Sequence, residues 1–361
     1  MTNVDEQYIS ILDSILDCGV NKDTRSGKVI STFGQTARFN LNDGLPILTI
    51  KKVFLRGIIR ELLWFISGDT NMRQLLINNV NIWNDDAERY FHELLDKHNE
   101  ADKLYNKSRN QYQKPSTEEF LESVRKKEKL TFRFDKYYTE CNNNDVRNYV
   151  FGDLGPVYGK NWRRFGVNFV DQVKILINKL KKTPNDRRLL ITGYNPDDVD
   201  TAALPPCHLL YQFYTKPMTA FERALWYKCR TGKENASEDE LNTNGVPLLK
   251  LSCMLYCRSQ DFLLGTVFNW ASAALLTHMI AEVCNMGVDE LIWFAGDVHV
   301  YENQLSTIDE LESREGFDTL PKLKFKRKVN DIDDFKYEDF IIEDYQSDPM
   351  IKIPLSTGKK D

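Results

Sequence analysis

The amino-acid sequence predicts one α+β domain built on a large mixed sheet with helices around it. Three observations carry that expectation. Strand-like runs are long and lie far apart, helix-period segments fall between them, and 361 residues that are 42% hydrophobic and 12% aromatic can fill a large core. Length alone also allows two or three domains, but no internal repeat or low-complexity tract divides the chain.

From Tyr8 to Asn84 the chain is dense in periodic apolar residues. Ile58, Ile59, Leu62, Leu63 and Phe65 make one helical face, which Gly68-Asp69-Thr70 breaks. At about residues 85–151 the texture turns to Lys, Glu, Asn and Tyr, including Arg125-Lys126-Lys127-Glu128-Lys129. Spaced apolar positions there (Tyr90, Leu94, Leu95; Phe120, Leu121, Val124) predict helices on a mostly solvated surface elaboration. Phe169 to Leu180 reads as an amphipathic helix before the turn Thr183-Pro184-Asn185-Asp186. Leu189–Thr192 and Leu209–Tyr214 read as strands. A second polar insert covers about 217–248. Beyond it come a strand at Leu251–Arg258, a helix at Asn269–Cys284 and a half-exposed strand at Leu320–Val329.

A net charge of -5 with 28% charged residues offers no bulk attraction to nucleic acid or an anionic membrane. A few placed arginines can still hold a small anion. The polar, acidic start Met1-Thr2-Asn3-Val4-Asp5-Glu6 is unlike a secretory or transit signal. The longest apolar run, Phe268–Val288, carries Ser272, Thr277, His278 and Glu282, which suits a buried helix better than a membrane span. Seven scattered cysteines, without CxxC or Cys/His spacing, suggest no metal site and no disulfide framework, hence a reducing, cytoplasmic setting.

Four short stretches carry chemistry. In Leu204-Pro205-Pro206-Cys207-His208 two prolines stiffen the backbone before a cysteine and so aim its sulfur. A free cysteine is usually an inert small hydrophobe; a reactive one needs positive charge nearby, and Arg187, Arg188 and Arg258 are candidates. In Tyr256-Cys257-Arg258-Ser259-Gln260-Asp261, Arg258 and Ser259 can grip phosphate, while Asp261 and Asn269 can read a polar ring, although a solvated strand-end Arg is the commoner case. In Gly296-Asp297-Val298-His299-Val300-Tyr301, alternation puts His299 and Tyr301 on one face, a pair suited to hydroxyl binding. Finally, Glu61 among Leu62, Leu63, Trp64 and Phe65 is costly to bury unless paired or functional.

Together these stretches resemble the thymidylate synthase family, which includes phage pyrimidine hydroxymethylases. The resemblance runs from about Tyr8 to Leu355, apart from the inserts. It also rests on Arg25-Ser26-Gly27, Gly68-Asp69-Thr70-Asn71, Ile82-Trp83, Gly152-Asp153-Leu154-Gly155-Pro156-Val157-Tyr158-Gly159 and Asp186-Arg187-Arg188. It implies a homodimer packed sheet against sheet. It also implies a nucleotide phosphate held by Arg25, Arg258 and Ser259, with Arg187 and Arg188 reaching in from the partner subunit, and a Cys207 thiol pKa lowered by these arginines. His299 and Tyr301 would hold the deoxyribose hydroxyl. Asn269 would read uracil, whose O4 and N3–H suit an amide. Cys207 would add to carbon 6, with Glu61 and Tyr158 managing protons. The co-substrate would be 5,10-methylenetetrahydrofolate, on a site lined by Ile82, Trp83, Asp261, Leu264, Gly265 and Phe268, with Lys51 meeting its glutamate tail.

Departures from the family pattern gather near that folate side. Val267 replaces a proline, Cys257 a glutamine, Ala273 a tyrosine, Asn84 an aspartate and Tyr194 a tryptophan; the Arg25 loop is one residue short. Ile351-Lys352-Ile353-Pro354-Leu355 continues through Ser356-Thr357-Gly358-Lys359-Lys360-Asp361, where synthases typically stop on an apolar residue. A looser seal admits water to the methylene-bearing nucleotide. These departures predict a deoxyuridylate hydroxymethylase, as in phages with modified DNA, acting in the host cytoplasm. The alternatives are a thymidylate synthase or a non-catalytic binding subunit.

Overall fold

The computed structural model describes residues 1–105, 113–133 and 146–356. Helix α1 (Asn3–Cys18) opens with a capping box between Thr2 and Asp5. Strands β1 (Val20–Thr24) and β2 (Gly27–Asn40) form a hairpin, which the sequence reading did not single out. Helix α2 (Leu55–Ser67) ends at Gly68, whose φ of 72° provides the left-handed cap. The short α3 (Arg73–Ile77) leads to the first insert: α4 (Asn84–Tyr105), α5 (Thr117–Lys126) and the paired strands β3 (Lys129–Arg133) and β4 (Val146–Val150).

Next come α6 (Tyr158–Arg163), α7 (Gln172–Lys182), β5 (Leu190–Thr192) and β6 (His208–Pro217). The second insert folds as α8 (Ala220–Thr231) and α9 (Glu238–Thr243). Strand β7 (Leu249–Asp261), helix α10 (Gly265–Cys284) and β8 (Gly287–Tyr301) follow, then α11 (Ile308–Glu312) and the small pair β9 (Lys322–Phe325) and β10 (Phe340–Glu343). Three expected elements shorten. The strand at 189–192 starts at Leu190. The helix at 169–180 begins only after its Asp171 cap, and the strand at 320–329 keeps four residues.

The main sheet has the order β1-β2-β8-β7-β6-β5. Only β7 and β8 pair in parallel, and α10 is the crossover such a pair requires. The α+β class with a mixed sheet therefore stands. Register sorts side chains into two faces. Ile191, Tyr211, Leu255, Trp293 and Ala37 form one buried row across five strands, covered by α10, which is buried along most of its length. Leu190, Gln212, Met254 and Ile292 form the adjacent row on the opposite face, where Tyr214 and Phe294 are also exposed.

The first insert is less solvated than the sequence suggested. Phe91, Phe120, Tyr149 and Phe151 stack into an aromatic cluster continuous with the main core. Helix α4 also reaches the loop ahead of Cys207: Arg89 donates to the Ala203 carbonyl (2.7 Å) and Tyr90 to that of Thr201 (2.7 Å). The second insert closes a small core of its own, Tyr227, Leu241 and Val246, around a buried Arg223.

Candidate active site

Strand pairing assembles the site at one end of the sheet. His208 at the start of β6 pairs with Cys257; farther along β7, Ser259 and Asp261 pair with Asp297 and His299 of β8. Residues far apart in sequence thus meet at the ends of three adjacent strands.

Cys207 is fixed from three sides. Its N–H donates to Tyr158 Oη (2.8 Å) and its carbonyl accepts from the Arg258 N–H (2.9 Å). The Arg258 guanidinium donates to the carbonyls of Pro205 and Pro206 (both 2.8 Å), with Nη2 3.9 Å from the sulfur. Within one chain the expected drop in thiol pKa is not reached. Burial pushes the Cys207 thiol up, Arg258 opposes it, and burial prevails.

Tyr158, which accepts from the Cys207 N–H, belongs to an aromatic wall. Phe65 packs on Tyr158 (4.8 Å between centroids), and Trp83 lies edge-on to Trp64 (5.7 Å). Trp83 Nε1 donates to Glu61 Oε1 (2.8 Å). Desolvation among these rings raises the Glu61 carboxyl to about 7, and the Trp83 bond pulls it down. A carboxyl poised there can both give and accept a proton near neutrality. Tyr158, wholly desolvated, stays a phenol.

The polar residues expected to meet the nucleotide follow. Asn269 Nδ2 donates to Gln260 Oε1 (2.8 Å), which orients the amide. His299 Nδ1 lies 2.8 Å from Asp297 Oδ1, and its ring meets Tyr301 edge-on. Asp297 also accepts from Lys22 (3.1 Å) and Ser31 (3.0 Å), tying the β1–β2 hairpin to the site. Arg25 sits exposed on that hairpin's turn.

On the side expected to take folate, helical spacing at the start of α10 leaves Leu264, Gly265, Phe268 and Asn269 partly exposed while Thr266, Val267 and Trp270 are buried. A Cβ on Gly265 would come within 2.8 Å of Gln260 Nε2, so a larger residue there would push the Gln260 amide aside. Asp261 accepts from the Leu264 N–H (3.2 Å), and burial raises its carboxyl pKa. Apolar walls beside a desolvated carboxylate fit a flat heterocycle with N–H donors. Ile82 packs at the core edge of this wall.

Lys51 differs from expectation. It is buried, donates to the Leu263 carbonyl (2.5 Å), and is lowered by burial to about 7. In this arrangement its ammonium supports the Asp261–Leu264 turn and is not offered to solvent, where a ligand tail would run. Arg187 and Arg188 also lie apart from Cys207, exposed before β5 at the far edge of the sheet.

Sequence reasoning missed His208, buried with its imidazole lowered to about 4, and Gln260 and Gln304, both buried amides. Polar residues beside chosen ones were the available signal. Three departures given weight above, Cys257, Val267 and Ala273, are buried in the core, so they alter packing and do not line the pocket. The tail from Thr357 onward, like Cys141, lies outside the described residues. The other six cysteines are free, and among the described residues no group of three or more His, Cys, Asp or Glu could hold a metal.

The family model described as thymidylate synthase matches residues 6–357. A thymidylate synthase of Mycoplasma mobile is 38% identical over 352 residues, covering 97% of this chain and 99% of its own. One from Listeria innocua is 36% identical over 358 residues, covering 97% and 99%. Both names favour the alternative given above over the hydroxymethylase reading, which they do not support. The chain belongs to the thymidylate synthase family, one-carbon transferases that draw on 5,10-methylenetetrahydrofolate.

Proposed function

We propose that this protein makes thymidylate from deoxyuridylate, with Cys207 as the transient covalent nucleophile. The observation that carries this reading is the Arg258 guanidinium spanning the Pro205 and Pro206 carbonyls 3.9 Å from the Cys207 sulfur. That placement sets a positive charge against the burial that holds the sulfur as a thiol, and so eases formation of the thiolate.

The thiolate adds to carbon 6 of the uracil ring, forming the S–C6 bond and sending an electron pair toward O4, so carbon 5 becomes nucleophilic. Asn269, oriented by Gln260, holds the ring edge. Glu61 moves protons at the O4 side and, near pH 7, suits both directions of transfer. Loss of the carbon-5 proton to a base breaks the bond between the transferred methylene and the folate nitrogen, and hydride addition to that methylene then drives the sulfur off carbon 6, which restores the ring double bond and frees Cys207. The folate supplies the methylene carbon and the closing hydride. His299 and Tyr301 receive the ribose hydroxyl, and Asp261, Leu264 and Phe268 with Trp83 receive the pterin.

A two-fold dimer completes the phosphate site in this reading. Arg25 belongs to the β1–β2 edge of the sheet, Arg187 and Arg188 to the β5 edge, with β8, β7 and β6 between. Register also sets them apart lengthwise. Leu190 pairs with Gln212, so Arg188 falls beside Tyr214, seven residues from Cys207, or roughly 20 Å of strand. The half-exposed apolar row on the outer sheet face supports a second copy that covers it and brings those arginines in.

Purified protein incubated with deoxyuridylate and methylenetetrahydrofolate tests the reading. Thymidylate with equimolar dihydrofolate is the expected outcome. Hydroxymethyl-deoxyuridylate with tetrahydrofolate would replace it with the hydroxymethylase reading, and no carbon-5 tritium release would reduce the chain to a binding subunit.

A further inference from the structure

Gln304 is fully buried, in the 3-10 turn Glu302–Thr307 that follows β8. A primary amide has two donor protons and one acceptor oxygen. Here Oε1 accepts from the Tyr301 N–H (3.1 Å), and Nε2 donates both to Asp261 Oδ2 (3.1 Å) and to the Pro354 carbonyl (3.1 Å). Flipping the amide would set its oxygen against two acceptors, so the network admits one orientation. The neighbouring Asn303 accepts from Ser356 Oγ (3.1 Å), so the same turn holds the C-terminal segment twice. Ile351 anchors that segment in the core.

We propose that Gln304 is a positioning residue that latches the C-terminal segment Ile351–Ser356 to the Asp261 carboxylate, so that the segment's closure over the site depends on Asp261. The proposal rests on the synthase reading. One amide joins the ribose-side strand at Tyr301, the folate-side carboxylate at Asp261 and the carbonyl of Pro354. A folate that engages Asp261 therefore reports to the C-terminal segment through a single side chain. A closed segment keeps water from the nucleotide between methylene transfer and hydride arrival.

Two variants separate latching from simple packing. Gln304→Met removes every hydrogen bond at nearly constant volume. Gln304→Glu keeps an acceptor for Tyr301 N–H but turns an acceptor toward Asp261 and Pro354. Three readouts apply: amide hydrogen exchange across 351–356 with deoxyuridylate bound, KM for each substrate, and carbon-5 tritium release relative to dihydrofolate formed. Both variants are expected to speed exchange and to raise folate KM and the release ratio about tenfold, with deoxyuridylate KM little changed. The glutamate substitution should have the larger effect of the two. A Gln304→Glu protein that matches the parent in exchange and ratio overturns the proposal, as does loss of thermal stability alone with both unchanged. Should neither variant fold, a chain ending at Ile353 removes the Pro354 carbonyl instead, and an unchanged release ratio there overturns it too. If the parent itself makes no thymidylate, the synthase reading fails, and the exchange comparison still decides the latch.

Discussion

Arg258 holds Cys207 by its backbone more firmly than by its sulfur. Its N–H meets the Cys207 carbonyl at 2.9 Å and its guanidinium grips the two preceding carbonyls at 2.8 Å, while Nη2 stands 3.9 Å from Sγ. Proline supplies carbonyls without competing N–H groups, so Pro205-Pro206 makes a rigid acceptor pair that fixes where the guanidinium rests. The cation thus both positions the nucleophile and opposes the burial that raises its pKa.

Replacing Arg258 tests both roles. Arg258→Leu removes the positive charge that pulls the thiol down, so Cys207 alkylation by iodoacetamide should move to higher pH. Activity, kcat/KM for deoxyuridylate, should fall about a hundredfold, as expected for losing hydrogen bonds to a charged group. Arg258→Lys keeps the charge but not the planar fork. It should restore part of the alkylation profile and little of the activity. Alkylation unchanged in the Leu variant would contradict the electrostatic role.

Glu61 links activity to stability through one pKa. Its folded value is about 7 against an ordinary 4.5, so the folded state binds the proton more tightly than the unfolded chain. Stability from this group is therefore full below about pH 4.5 and is lost as pH rises through 7. Glu61→Gln should raise stability at pH 8 by roughly 2 kcal/mol, seen as a higher Tm, and leave Tm unchanged at pH 4. Trp83→Phe removes the bond that favours the carboxylate. The Glu61-dependent limb of the kcat profile should then move about one unit to higher pH. A limb that stays in place would separate Glu61 from the observed ionisation.

Asp5 is the strongest purely structural prediction. Fully buried, it accepts from Thr2 Oγ1 (2.6 Å), Thr49 Oγ1 (2.7 Å), the Thr49 N–H (2.8 Å) and the Ile50 N–H (3.3 Å). It pins α1 to the segment leading into Lys51 and α2. Asp5→Ala orphans several buried donors at once and should cost about 3 kcal/mol in urea unfolding. Kinetic constants of the folded fraction should stay near those of the parent.

The residues that meet at the end of the sheet were legible because they are named by chemistry: a cysteine behind two prolines, an arginine with a serine, a histidine two residues from a tyrosine. The fold class was legible from periodicity. What failed had a common physical origin. Cys257, Val267 and Ala273 sit close in sequence to site residues, yet alternation on β7 and the turn of α10 send them inward. Lys51, expected to meet the glutamate tail of a folate, is buried and held by the Leu263 carbonyl, a partner far away in sequence. The Phe91–Phe120 cluster lay inside a segment whose composition is polar. Gln304 gave only a weak signal, a polar residue three positions past Tyr301, since its value depends on partners at Tyr301, Asp261 and Pro354 that its own sequence neighbourhood does not reveal.

The last prediction concerns the two halves of the phosphate site. If Arg187 and Arg188 serve a neighbouring copy, then Arg187→Ala/Arg188→Ala subunits carry a sound Cys207 without cross-supplied arginines, and Cys207→Ser subunits carry sound arginines without a nucleophile. Each homodimer should be nearly inactive. A mixed dimer contains one site with an intact Cys207 that receives intact arginines from the other chain, so mixing after mild denaturation should restore activity to about a quarter of the parent level, the share expected when random pairing makes half the dimers mixed and each holds one working site. Phe294→Asp, on the outer face of β8, should block that recovery by placing a charge where the sheets meet. Sedimentation would then show a monomer that still unfolds cooperatively. Activity in the unmixed arginine variant, or a Phe294→Asp protein that stays dimeric, would remove the shared site from the account and leave Arg25, Arg258 and Ser259 to hold the phosphate within one chain.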